Sequence, residues 1–425
     1  MSGPRVLVVG GGGREHAICW KLAEDHPDIE LFAAPGNAGI AELATLVPIE
    51  ATDIAGIAAW CAAERPDLVV IGPAAPLALG IVDALDAARV VAVGPTAAAA
   101  RIESSKAWAA DVLDAAGVPH PRTWVFAGGL AADEATAFAL GHRGPLVVKA
   151  DGLARGKGVA VCDTSADAVA AIERIGRRRE LGRAGERLVL QERLEGPELS
   201  VFALCAGTEW AILGSARDHK RLVDGDRGPN TGGMGAFTPV PEAGDPLIET
   251  VERAIIGPTL AEMARRGSPF TGFLYAGLML TKGGPQVLEF NARLGDPEAQ
   301  VLLPTLRVDL LDAMLGAASG RLAIPRSAGA QRAAVCVVMA SSGYPGDHES
   351  GMGIEGLDTL GRDVLAFHAA TVRRGDGIVS NGGRVVGLTG LGDSVTEARE
   401  RAYAGIDRVR FPGAVWRTDI ATAIA

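Results

Sequence analysis

Apolar positions fall in short runs, and the spacing between runs changes twice along the chain. From Arg5 to Val9 every residue after the first is aliphatic, which predicts a strand buried on both faces. Gly10 to Gly13 turn the chain, and Arg14 to Leu22 read as a helix. Two later runs share a form: Asp67 to Ile71 ends in Gly72-Pro73, and Arg89 to Val93 ends in Gly94-Pro95. Short apolar strands alternating with helices predict a parallel, doubly wound sheet, which takes ligands at the carboxyl ends of its strands.

A different pattern begins near Glu103. Ser104 or Ser105 is placed to cap a helix running to Ala116, and Gly117 with Pro119 stops it. Strands follow at Pro121 to Phe126, Leu146 to Lys149 and Val159 to Cys162, then a helix at Ala166 to Ile175. Further strands lie near Leu188 to Glu192, Leu199 to Cys205 and Trp210 to Ser215. Neighbouring strands with little helix between them predict antiparallel pairing, so this region is α+β. Asp218 to Phe237 reads as a long, polar, Gly-rich loop of the kind that serves as a lid. A helix from Pro246 to about Arg266 precedes a hairpin, Gly272 to Leu280 and Gln286 to Phe290, turning at Lys282 to Gly284. A third, α/β unit begins near Arg332, with strands at Ala333 to Ala340 and Arg384 to Leu391 and a last helix from about Val395 to Val409. The expected division is 1–103, 104–325 with a lid-like part at about 121–193, and 326–425.

Length agrees with several domains, since 425 residues exceed one ordinary core. The formal net charge of -10 offers no electrostatic route to nucleic acid or to an anionic membrane. The densest basic run, Arg177 to Arg179, continues into Glu180 and reads as a solvated helix end. The five cysteines are isolated, form no Cys-x-x-Cys pair and are expected to fill cores in a reducing compartment. No signal peptide and no membrane-spanning run is read, so the expected location is the cytoplasm, and the expected assembly is a monomer or weak homodimer.

Four segments carry candidate chemistry. In PLVVKADGLARGKGVAV, Lys149 ends a strand, and Gly152, Gly156 and Gly158 surround Lys157 before a second strand. Glycines let amides approach a phosphate and lysines supply charge; the spacing and the flanking strands exclude a Gly-x4-Gly-Lys phosphate loop. In QERLEGPELSV, Glu192 ends a strand and Glu198 starts the next; either carboxylate can accept ribose hydroxyl protons. In VLEFNARLGDPEAQ, Glu289 and Asn291 share one face of a strand and present hard oxygens suited to magnesium, with Arg293 beyond them. Asp296, Pro297 and Glu298 read as a helix start. In RDHKRLVDGDRGPNTGGMGAF, charges at one end and glycines at the other suit a cover over a water-sensitive intermediate, and His219 reads as structural. The first turn, VVGGGGREHA, breaks the dinucleotide fingerprint: the third glycine is replaced by Glu15 or His16. With PGNAG at Pro35 to Gly39, it suits a single phosphate better.

Together these segments resemble the ATP-grasp enzymes, and closely the phosphoribosylamine–glycine ligase family of purine biosynthesis. GGREHA, APGNAG, GPTAAAA, SSKAW, KADGLARGKGV, DHKR, GPNTGGMGAF, TGFLYAGLM, EFNARLGDPE, GYPGD and SNGGRV stand in that family's order. The resemblance implies a central ATP-grasp domain and a reaction in which ATP phosphorylates glycine and 5-phosphoribosylamine attacks the glycyl phosphate. It implies ATP contacts at Lys106, Lys149, Gly156, Lys157, Gly158, Glu192, Leu194 and Glu198, and Mg2+ or Mn2+ ligands at Glu289 and Asn291. Lys220, Arg293 and Asp296 match the catalytic and glycine end. Gly13, Arg14, Asn37, Asp218, Asn230, Thr231, Gly232, Gly233, Met234 and Pro297 match the substrate side. Ala74 stands where the family usually has Glu, Arg155 replaces a small residue, and Gly11 replaces a commoner polar one. The alternatives are another ATP-grasp carboxylate–amine ligase, an NAD-dependent oxidoreductase and a non-catalytic nucleotide binder. The motifs GPNTGGMGAF and GGREHA, the broken fingerprint and the intact Lys149, Glu289, Asn291 and Arg293 argue against them in turn.

Overall fold

The computed structural model describes residues 3–154, 157–322, 324–325 and 332–422. Its first part is a five-stranded parallel sheet of Arg5–Gly10 (β1), Glu30–Pro35 (β2), Thr45–Leu46 (β3), Leu68–Ile71 (β4) and Ala92–Val93 (β5), in the order β3-β2-β1-β4-β5. Val6 to Val9 are wholly buried, as a strand covered on both faces requires. The strand expected from Arg89 shrinks to two residues because Arg89 takes a left-handed turn (φ 59°).

Helix Lys106–Ala116 opens the middle region. The Ser105 hydroxyl caps it at Trp108 N, and left-handed Gly117 ends it. Residues 123–192 then form a separate four-stranded antiparallel sheet, made of Thr123–Phe126 (β6), Leu146–Ala150 (β7), Val159–Cys162 (β8) and Leu188–Glu192 (β9), in the order β6-β9-β7-β8. Its helices include Ala131–Gly141, which the sequence reading left without an element. Ala135 and Ala139 of that helix pack inward with Leu146 and Leu190.

The largest sheet has nine strands. Glu198–Gly207 (β10) and Glu209–Asp218 (β11) begin it; Arg221–Val223 (β12) and Arg227–Asn230 (β13) form a separate two-stranded hairpin; Gly235–Thr238 (β14), Phe270–Thr281 (β15) and Gly284–Asn291 (β16) return to the main sheet. The last third adds Ala333–Ser341 (β17), Gly353–Ile354 (β18), Val364–His368 (β19), Thr371–Arg374 (β20), Gly377–Ser380 (β21), Arg384–Gly392 (β22) and Ala414–Val415 (β23). The main order is β16-β15-β10-β11-β14-β17-β22-β19, with β23 on β17, while β18, β21 and β20 make a small sheet of their own.

One expectation changes. The loop expected over 218–237 is ordered as a hairpin plus a central strand. Its glycines serve close packing: a side chain at Gly235 would meet Cys336 O at 2.6 Å. The strands after Arg332 also join the central sheet, since β17 pairs antiparallel with β14 from Gly235↔Val337 to Thr238↔Ala334. That pairing covers what would otherwise be an open edge. Other readings hold: the five cysteines are free and buried, and Arg177 to Arg179 are solvated and ion-paired. Among the described residues no helix is long and apolar enough to cross a membrane.

The parallel sheet touches the large one at Gly272 of β15, whose φ is +107° and whose would-be Cβ lies 2.9 Å from Gly94 Cα. Gly272→Ala is therefore expected to cost about 1–3 kcal/mol through strain and collision. The urea midpoint measures this; a midpoint equal to that of the parent chain would refute the close approach.

Candidate active site

The floor of the site is the β15–β16 hairpin. Tyr275 faces Asn291 and Gly277 faces Glu289, but Leu278 already faces Val287, so Leu288 is an extra residue without a partner in the register. Such a bulge re-aims a strand and releases its carbonyl from the ladder. The Leu288 carbonyl accepts a hydrogen bond from Lys149 Nζ at 3.0 Å. Lys149 stands on β7, so this bond ties the four-stranded sheet to the nine-stranded one. Gly277 leaves room for Glu289, whose Cγ would lie 3.3 Å from a Cβ there.

The charges in this seam perturb one another. Burial pushes the Lys149 ammonium down to about 8, opposed by Glu289. Burial also lifts Glu289, but Lys220, Lys149, Lys106 and Arg293 outweigh it and hold the carboxyl below its ordinary range. Lys220 Nζ binds Glu198 Oε2 at 2.6 Å. Asp218 lies beside them at the end of β11. Burial lifts its carboxyl well above the usual range; Lys220 opposes this, and Glu298, Glu198 and Glu289 add to it. Burial raises Glu298 in the same direction.

Arg293 is held on two sides. Its Nη2 donates to Asn291 Oδ1 and to Glu103 Oε1, both at 3.0 Å, while Glu103 Oε2 accepts from Ala292 N at 2.8 Å. Asn291 and Arg293 are thus locked as a pair. Glu289 and Asn291 offer oxygen donors on one strand face, and the described residues contain no group of three or more His, Cys, Asp or Glu suited to a metal. That donor set fits a hard divalent cation that takes its remaining ligands from phosphates and water.

The loop after β7 is braced from outside. Lys106 Nζ donates to Gly152 O at 2.9 Å, and Asp151 accepts from Ser105 Oγ, Ala107 N and Arg187 Nη1, each at 3.1 Å. Gly158 is packed so closely that a side chain would meet Ala154 Cβ at 2.7 Å. Gly156 and Arg155 lie outside the described residues. Lys157 is exposed and lines a cleft of about 980 Å³ together with Asn230. Glu192 ends β9 and Leu194 follows on the link to Glu198 and β10.

The far lip is built from distant segments. Arg384 on β22 pairs with Asp296 Oδ2 at 3.3 Å, and its Nη1 reaches Asp296 O at 2.6 Å and Gly232 O at 2.7 Å. Burial would lift Asp296, but Arg384 and Arg14 hold it below its ordinary range. Gly233, at φ +116°, packs on Pro297, whose Cδ would be 2.4 Å from a Cβ. Thr231 Oγ1 donates to Lys220 O at 2.8 Å and accepts from Gly233 N at 3.0 Å. Gly13 sits against the same turn, with Gln300 Nε2 2.4 Å from where its Cβ would stand.

Two expected contacts are otherwise engaged. Arg14, expected on the substrate side, donates to Glu15 Oε1 at 2.7 Å, and Glu15 also accepts from Gly12 N at 2.6 Å. Asn37 uses Oδ1 on Gly39 N and Ile40 N, and Nδ2 on Gly11 O and His368 O, so it braces its loop. Met234, expected on the substrate side, has a wholly buried side chain; its N–H donates to His219 O and its carbonyl accepts from Val338 N. His219 lies tilted against Phe237, with ring centroids 6.1 Å apart. Sequence reasoning missed Glu103, Tyr275 and Arg384, and gave Glu298 no role beyond a helix start. Glu103 and Arg384 stand inside or beside quoted motifs, but their partners lie 190 and 88 residues away. The small residue at Gly277 facing Glu289 is the one local sign of the floor.

The sequence matches the signature of the phosphoribosylglycinamide synthetase N domain over residues 4–103, its ATP-grasp (A) domain over 104–299 and its C domain over 334–423. A phosphoribosylamine–glycine ligase of Streptomyces coelicolor is 46% identical over 99% of each chain. The human trifunctional purine biosynthetic protein adenosine-3 is 42% identical over 98% of this chain and 41% of that protein. A crystal structure of phosphoribosylamine–glycine ligase from Thermotoga maritima superposes with a TM-score of 0.84 at 35% identity, covering 98% of this chain and 100% of the other. The biotin carboxylase domain of a Hydrogenobacter thermophilus 2-oxoglutarate carboxylase, at 15% identity and TM-score 0.75 over 98% of this chain and 92% of that one, has the same fold.

The raised carboxyl of Asp218 makes a stability prediction. Its proton is retained in the folded chain up to about 8, whereas an unfolded aspartate loses it near 3.8. Unfolding then releases a proton, so this group's contribution falls as pH rises between those values. Asp218→Asn should raise the thermal midpoint of the ligand-free protein, more at pH 8 than at pH 5. A midpoint lowered equally at both would contradict the assignment.

Proposed function

The chain belongs to the phosphoribosylglycinamide synthetase family, and from that premise we propose that it is the ATP-dependent ligase joining glycine to 5-phosphoribosylamine. Its products are glycinamide ribonucleotide, ADP and phosphate. The reading is carried by the meeting of Lys149, Glu289, Lys220 and Arg293 in one seam between two sheets. Four charges drawn together, three of them cations, with Lys149 buried and the other three partly exposed, suit a polyphosphate.

In this reading the glycine carboxylate takes the terminal phosphoryl group of ATP, and ADP departs. The sugar's amine then attacks the acyl carbon, the new C–N bond forms, the bond to the phosphate oxygen breaks, and the amine gives up a proton. Lys149, Lys220 and Arg293 are cations fixed in place before the phosphoryl group moves, so little reorganisation is needed at that moment. Glu289 and Asn291 would hold a divalent cation, magnesium or manganese, which supplies charge neutralisation on the phosphate oxygens. Asp218 and Glu298 are crowded carboxyls whose raised pKa values reflect burial without enough cationic partners. The ammonium of glycine supplies such a partner, which assigns the amino acid to their side of the seam. The Arg384–Asp296 pair and the Gly232-Gly233 turn, close to Gly13, form the lip for the phosphoribosyl amine. Glu192, Leu194 and Glu198 take the adenosine end. The protein acts in the cytoplasm as a monomer or weak homodimer.

Purified protein given ATP, magnesium, glycine and freshly made phosphoribosylamine should release phosphate only when both acceptor and glycine are present. Turnover supported by bicarbonate in place of glycine would favour a different ligase of this fold. Glu289→Ala should lower kcat by about 10²-fold or more while leaving the circular dichroism unchanged. Near-normal rates in that variant would remove Glu289 from the site.

A further inference from the structure

The hairpin β12–β13 belongs to no larger sheet, and an isolated two-stranded hairpin is marginal in water. Its base nevertheless carries site residues: Lys220 precedes β12, and Asn230 and Thr231 stand at the end of β13. Something else must hold it. The segment Arg417 to Ala421, nearly two hundred residues later, touches it at both ends.

Arg417 is 1% exposed although it carries a full charge. It reaches the hairpin through Nη1, which donates to Arg221 O at 3.1 Å and to Asp226 Oδ1 at 2.7 Å. Its Nε and Nη2 form a fork on Asp419, each bond 2.7 Å long. Asp419 then accepts from Gly225 N at 2.8 Å, and Thr418 N donates to Asp224 Oδ1 at 2.9 Å. At the hairpin base, Ala421 N reaches His219 Nε2 at 3.3 Å. The segment is itself fixed to helix Val395–Ile406. Arg399 donates to Ile420 O at 2.9 Å and Thr418 O at 2.8 Å, and Tyr403 Oη donates to Arg417 O at 2.9 Å.

We propose that this C-terminal segment is a strut for the active site, and that Arg417 is a positioning residue that sets Lys220 and the turn at 230–233. The load path is short. Arg417 holds the Arg221 carbonyl; the neighbouring Lys220 carbonyl accepts from Thr231 N at 2.7 Å and from Thr231 Oγ1, which in turn orients Gly233 N. Lys220 Nζ is left facing Glu198 beside Asp218 and Glu289. A guanidinium suits the task because it donates four bonds at once, two of them a planar fork on Asp419, whereas a lysine has only three donors on one nitrogen.

The test uses the full chain and rests on the ligase reading for its kinetic arm only. Three variants are compared: Arg417→Met, the milder Asp226→Asn at an exposed position, and Ile406→Ala, which weakens the helix core without touching the hairpin. Hydrogen exchange at the amides of 221–231 should quicken in the first two and not in the third. With Arg417→Met, kcat should fall about 10-fold or more while the KM for ATP stays within about twofold, because displacement of a positioned group is read in the chemical step. Asp226→Asn should fall part of the way, and it carries the test alone if Arg417→Met does not fold. Unchanged hairpin exchange in both variants, or a kcat loss in Ile406→Ala equal to theirs at a matched thermal midpoint, would overturn the strut. If the parent chain releases no phosphate, the ligase reading fails and hydrogen exchange still decides the strut.

Discussion

Charges stripped of water before their partners arrive are the constraint on which this structure depends. Lys149 is depressed and Asp218 is raised for one reason, burial, although they carry opposite signs. Neither arrangement favours the empty protein. Both make sense in a site that receives a polyanion on one side and an ammonium on the other, since preorganised charge is most effective where solvent is already gone. The rest of the molecule supplies the stiffness that keeps these groups from relaxing: the bulge at Leu288, the Glu103 bracket on Arg293, and the braced loop after β7.

That stiffness comes from a sheet that ignores the divisions visible along the chain. Pairing of β14 with β17 carries the C-terminal strands into the central sheet. Arg384 is thereby brought to Asp296 and to the Gly232 carbonyl. The N-terminal loops join at His368. Asn37 bonds the His368 carbonyl, and the His368 amide donates to His16 Nδ1 at 2.8 Å. Both histidines sit where burial keeps them neutral, His16 pulled down to about 3 and His368 to about 4. The site is thus a junction of three stretches of sequence, each contributing backbone as much as side chain.

Local signals in the sequence were reliable where one residue type answers one local demand. Ser105 and Gly117 bound a helix because a hydroxyl caps free amides and glycine accepts a left-handed turn. Glu289 and Asn291 share a face because a strand alternates. The parallel sheet followed from three short apolar runs. What escaped detection depended on distant partners. The 218–237 stretch read as a loop because its glycines and charges lack periodicity, yet Arg417 and Asp419 order it from far along the chain. Glu103 marked only the place where the pattern changes until folding set it beside Arg293. Met234 sat in a polar motif and was read with it, whereas the sheet took it into the core. Leu288 could not be singled out, since a bulge is a property of two strands.

A crystal structure with a non-hydrolysable ATP analogue and manganese tests the central claim most directly. An anomalous peak within bonding reach of Glu289 and Asn291, with the terminal phosphate beside Lys149, is the predicted result. Nucleotide bound elsewhere, or a metal whose ligands exclude Glu289, would contradict it.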